Sequence, residues 1–74
     1  MKRPRNSTFR KRLKLLREGK KLSFQNLSDE VNIATSTLNN WEIGVMRPTL
    51  DDRILDLADY FDVTLDYLAG VDVE

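Results

Sequence analysis

An all-α fold is predicted for this 74-residue chain by three observations. Apolar residues recur at helical spacing, as in Phe9, Leu13 and Leu16, or Leu50, Ile54, Leu57, Ala58 and Phe61. Residues that start and stop helices fall between these groups. No segment shows the alternation of a strand, and no repeat or low-complexity stretch interrupts the pattern. A chain this short makes one small domain with a modest core. Cys and His are both absent, so neither a disulfide nor the usual metal ligands can staple it, and no metal or cofactor is expected. Helix packing alone must hold it.

The elements follow in order. Residues 1–7, basic and polar with Pro4, read as a flexible arm, 8–70 as the folded domain and 71–74 as a short tail. A first helix is expected from Thr8, with Gly19 as its C-terminal stop. Ser23 offers an N-cap for a short second helix whose inner face holds Leu27 and Val31. Asn32 then supplies a residue that tolerates the left-handed conformation of a tight turn. A third helix is expected over roughly 34–42, with Ala34, Leu38 and Trp41 on its buried side and Gly44 at its end. Pro48 and Thr49 open a fourth, where Thr49 and Asp52 suggest a capping box with Asp in place of Glu. Thr64 caps a last helix over 65–69, closed by Gly70.

Charge narrows the function. The net charge is zero, but residues 1–21 hold ten Lys or Arg against Glu18 (a balance of +9), and residues 22–74 hold two against eleven acids (−9). Such a split suggests an anionic partner for one pole. No apolar run reaches the roughly 20 residues of a membrane span, and no signal-peptide segment opens the chain. A cytoplasmic location without membrane contact is expected. Without His or Cys, and with carboxylates scattered over solvated faces, no nucleophile–base pair is visible, so an enzyme is not expected.

The third helix is the informative one. Between its apolar positions lie Thr35, Ser36, Thr37, Asn39 and Asn40, middling to poor helix formers that compete for backbone hydrogen bonds. A helix selected for stability alone would carry Ala, Glu, Lys or Arg there. A short turn joins it to the second helix, as in a helix-turn-helix unit, whose second helix lies in the major groove. Asn pairs bidentately with adenine, Ser and Thr bond to most bases, and a Thr methyl can touch thymine. The competing explanation is a solvated face that happens to lack good helix formers.

The ordered set Leu13, Leu16, Arg17, Leu27, Trp41–Glu42–Ile43–Gly44, Pro48 and Ala58 through Leu68 resembles the Cro/repressor-type (xenobiotic-response-element) helix-turn-helix family of bacterial and phage regulators. The resemblance covers about residues 8–70. It implies a compact five-helix bundle, the lambda-repressor-like DNA-binding domain, in a sequence-specific transcriptional regulator, expected to be a repressor that binds a double-stranded operator as a homodimer. It also implies that Arg17 and Glu42 form a buried ion pair between the first and third helices. Phe24 stands where the family often has a phosphate-clamping Gln, so either Gln25 next to it substitutes or the clamp is missing. Ala34 stands where Ser or Thr usually caps the third helix, so Thr35 is expected to share that role.

The candidate DNA-binding set is therefore Arg10, Gln25, Thr35, Ser36, Thr37, Asn39, Asn40 and Arg47. Thr35, Ser36, Asn39 and Asn40 face bases, and Thr37 leans toward a phosphate. Arg10, Lys11 and Arg12 in the first turns of the first helix oppose its dipole, a cost that phosphate contacts would offset. Lys2, Arg3 and Arg5 of the arm suit the minor groove or plain phosphate attraction. Trp41 reads as core, and Tyr60, Tyr67, Val71 and Val73 as either core or subunit contact. A protein-interaction module of the same fold, antitoxin-like or regulator-binding, is the alternative, and an apolar third-helix face would favour it.

Overall fold

The computed structural model describes residues 6–47 and 51–70. Five helices follow one another: α1 (Asn6–Gly19), α2 (Phe24–Val31), α3 (Thr35–Ile43), α4 (Asp52–Phe61) and α5 (Leu65–Ala69). α1 packs against α3 and α5, α2 packs against α3 and α4, and α4 packs against α5. The shared core holds Phe9 and Leu13 from α1, Leu27 and Val31 from α2, Leu38 and Trp41 from α3, Ile54, Leu57, Ala58 and Phe61 from α4, and Leu68 from α5. Phe9 meets Trp41 edge to face, with ring centroids 5.6 Å apart, a geometry that suits the quadrupoles of both rings.

Local chemistry sets the ends of the helices. The Ser23 hydroxyl accepts from Asn26 N–H at 3.0 Å, and the Asn26 side chain returns to the Ser23 N–H to complete a capping box. Thr64 caps α5 by accepting from Tyr67 N–H at 3.0 Å. Asn32 ends α2 at φ 58°, Gly44 ends α3 at φ 83° and Gly70 ends α5 at φ 79°. Asp62 closes α4 in the same left-handed region, which short polar side chains tolerate.

Three expectations need correction. α1 starts at Asn6, not Thr8, so the expected arm loses Asn6 and Ser7, and its residues 1–5 lie outside the described residues. Arg10, Lys11 and Arg12 then fall in the second turn, where the dipole opposes them less. The N-cap of α4 is Asp51, whose carboxylate accepts from Arg53 N–H at 3.1 Å; Asp52 is already helical, and Thr49 and Leu50 lie outside the described residues. Ala34 is exposed. It occupies the N-cap of α3 with a non-helical ψ of 142°, which takes its Cβ off the buried stripe, and the neighbouring Ile33 is buried instead. As expected of Ala34, the N-cap residue of α3 makes no side-chain capping hydrogen bond.

Candidate nucleic-acid interface

α2 and α3 are joined by Asn32, Ile33 and Ala34. Asn32 N–H donates to the Ser28 carbonyl at 2.8 Å and turns the chain in the left-handed region. Ile33 anchors the turn in the core, and α3 leaves from the exposed Ala34. The buried side of α3 is Leu38 and Trp41, joined by the Glu42 side chain at 4% exposure. The outward side therefore runs through Ser36, Asn39, Asn40 and Ile43, at i, i+3, i+4 and i+7. Ser36 and Asn39 are exposed, and Asn40 is half-buried. Thr35 and Thr37 flank this line, both half-buried. Arg47 is exposed beyond the end of α3.

Helical periodicity alone does not single out Ile43. It is 54% exposed and lies in line with Ser36, Asn39 and Asn40. The signal was present: an Ile seven residues after Ser36 shares its face. It was obscured because Ile is usually assigned to the core, where Leu38 and Trp41 already fill the inner stripe.

A half-buried brace fixes α3 relative to the rest. Arg17 Nε donates to Glu42 Oε2 at 2.6 Å and Nη2 donates to Oε1 at 3.1 Å, a bidentate pair between α1 and α3. Arg17 Nη1 also donates to the Leu22 carbonyl at 2.7 Å, and its guanidinium stacks 4.4 Å from the centre of the Phe24 ring. The hydrogen bond to Glu42 raises the Arg17 pKa above its ordinary value, with burial opposing. Phe24 thus serves as a platform for the brace. Gln25 Nε2 donates to Asp29 Oδ1 at 2.9 Å along the exposed side of α2.

The cations of α1 and of the turn that follows it divide by role. Arg12 donates to the Tyr67 carbonyl and stacks 4.0 Å from the centre of the Tyr67 ring, which docks α1 on α5. Lys20 stands 5.4 Å from the Tyr60 ring. Arg10 lies over Gly44 at the end of α3, with Nη1 3.0 Å from the point a Cβ there would occupy. Asp51, Asp52, Asp56, Asp59, Asp62 and Asp66, on or beside α4 and α5, are all exposed, so the acidic pole lies on those helices.

Residues 11–71 match the sequence model of the helix-turn-helix domain family. The chain belongs to that family. This helix-turn-helix domain is 35% identical over 60 residues to the uncharacterized HTH-type transcriptional regulator YobD of Bacillus subtilis (strain 168), a match covering 81% of this chain and 53% of the relative. It is 44% identical over 59 residues to the HTH-type transcriptional regulator AnsR of the same organism, covering 80% of this chain and 50% of that one. Its structure resembles a transcriptional regulator from Listeria innocua with a TM-score of 0.73 at 26% identity, covering 84% of this chain and 57% of the other. The chain spans about half the length of the curated relatives it matches. Among the described residues, no helix is long and apolar enough to cross a membrane.

Proposed function

We propose that this helix-turn-helix domain reads operator DNA as part of a transcriptional regulator, acting by occupancy as a repressor without chemistry of its own. The observation that carries the reading is the outward face of α3, where Ser36 and Asn39 stand exposed on a helix braced from behind by Arg17 and Glu42. A recognition helix in the major groove needs short hydrogen-bonding side chains that approach base edges and a rigid support that holds their register. Thr35, Ser36, Asn39 and Asn40 supply base contacts in this reading, and Thr37, Gln25, Arg10 and Arg47 supply backbone contacts. Gln25 must first give up its bond to Asp29. A DNA partner implies a cytoplasmic location.

Exposed Val45 (74%) and Met46 (36%) follow α3 and supply apolar surface for a second copy, so binding as a homodimer to two half-sites about one helical turn apart is part of the proposal. The same residues, with Ile43, favour a second reading as a protein-interaction module. Selection from a random duplex pool separates the two. A regulator enriches a motif, with paired half-sites if it is a homodimer. A pool that stays random after repeated rounds, with no binding of any duplex at low salt, refutes the DNA reading.

A further inference from the structure

Arg10, Lys11 and Lys14 line an open cleft of about 220 Å³ on α1, and the fourth lining residue is Glu42 of α3. The carboxylate does not neutralise them, because both of its oxygens are engaged by Arg17 and its side chain is only 4% exposed. Among the described residues, the ion pairs are Arg17 with Glu42 and Arg53 with Asp51, so no carboxylate pairs with Arg10, Lys11 or Lys14. Arg10 and Lys14 stand at i, i+4 and Lys11 and Lys14 at i, i+3, spacings at which like charges oppose the helix. Arg12 and Lys20 have aromatic partners, whereas these three line one cleft together.

The place of the cleft matters as much as its charge. It opens beside the C-terminal end of α3, where Arg10 lies against Gly44. A glycine lets the guanidinium come this close, since a Cβ would stand 3.0 Å from Nη1. When a helix occupies the major groove, the phosphates that border the groove lie along its flanks and ends.

We propose that Arg10, Lys11 and Lys14 form a phosphate-binding site that takes one phosphodiester of the DNA backbone beyond the end of α3. The site rests on the DNA-binding reading above and deepens it. It fixes where α3 stops along the groove and carries no base information itself. Lys11 and Lys14 are exposed, so replacing them removes charge without removing packing. Arg12 is excluded from the site by its bonds to Tyr67.

The test is the salt dependence of duplex binding by the full chain. In the Lys11→Gln/Lys14→Gln double variant, the log–log slope becomes shallower by about one unit, and affinity falls by a similar factor on selected and random duplexes. A Lys20→Gln/Lys21→Gln variant loses the same charge in the turn just beyond α1 and keeps nearly the wild-type slope. An unchanged slope in the first variant, or an equal change in the second, overturns the site while leaving the DNA reading intact. Wild-type protein that binds no duplex overturns both. Inorganic phosphate is the remaining arm, followed by NMR. Saturable shifts at Lys11 and Lys14 that duplex does not displace would assign the cleft to a free anion and overturn its role on DNA.

Discussion

Arg17 and Glu42 face each other across α1 and α3 with two parallel hydrogen bonds, at 2.6 and 3.1 Å, and their side chains are only 14% and 4% exposed. The guanidinium also holds the Leu22 carbonyl and covers Phe24, so one side chain ties α1 to α3 and to the entry of α2. Replacing Arg17 by Ala leaves the Glu42 carboxylate without either of these hydrogen bonds. The expected loss is about 1.5–3 kcal/mol of folding stability, the range for hydrogen bonds to charged groups, and a domain of this size then melts lower by about 4–8 °C for each kcal/mol. Arg17→Lys keeps the charge but not the fork, so it should fall between the two. Thermal unfolding measures both, and a midpoint within a degree or two of wild type for Arg17→Ala would show that the pair contributes little.

Gly44 gives a second, independent check on the end of α3. At φ 83° it occupies the left-handed region, and its N–H closes the helix on the Asn40 and Trp41 carbonyls. Gly44→Ala should cost about 1–2 kcal/mol from backbone strain alone. Gly44→Asn should cost less, because Asn visits that region more readily. The added Cβ would meet only the end of the Arg10 side chain, which can swing away. Adding Arg10→Ala to Gly44→Ala should therefore restore little stability; substantial recovery in chemical denaturation would mean that crowding, not backbone strain, sets the cost.

Much of this architecture can be read from short-range chemistry. Ser23, Asn32, Thr64 and Gly70 act within four residues of their own position, and each was placed correctly from sequence. The misses have longer or subtler causes. Ala34 looked buried because it falls one turn before Leu38, but it sits at the N-cap, where helical periodicity has not begun; Ile33, one residue earlier, takes the inner position. Asp51 displaced Thr49 as the α4 cap because both carry a capping oxygen and only the path of the chain chooses between them. The Arg12–Tyr67 contact joins residues 55 apart in sequence, so no local pattern could have separated Arg12 from Arg10 and Lys11. For the candidate interface, the polar residues of α3 were legible from composition, whereas Ile43 required knowing which stripe Leu38 and Trp41 bury.

Arg12 should behave as a structural residue and not as a DNA ligand. Its guanidinium gives a carbonyl hydrogen bond and a stack on Tyr67, contacts worth about 0.5–1.5 and 0.5–1 kcal/mol. Arg12→Ala should lower stability by about 1–2 kcal/mol on the same basis, with hydrogen exchange accelerated most in α5. The salt slope of duplex binding should hold steady. A slope shallower by about one unit with unaltered α5 protection would return Arg12 to the phosphate-binding set.

The outward face of α3 carries the sharpest prediction. Asn39 is exposed and lies one turn from both Thr35 and Ser36, so its amide has freedom to reach an adenine edge. Asn40 flanks it, half-buried. Replacing either with Ala should remove about 1–3 kcal/mol of discrimination between the selected operator and its point variants. Because Ala is the better helix former, the melting temperature should stay equal or rise slightly. Ile43, 54% exposed on the same line, has no hydrogen bond to offer but can cover a thymine methyl; Ile43→Ala should weaken preference at a single A·T pair and leave the other positions as they were. Competition binding with a panel of operator variants at one fixed salt concentration reads all three substitutions. The expected signature is lost preference, retained weak binding to random duplex and an undiminished melt. If both Asn variants kept full preference for the operator, α3 would not be reading bases, and its polar face would be a solvated surface only.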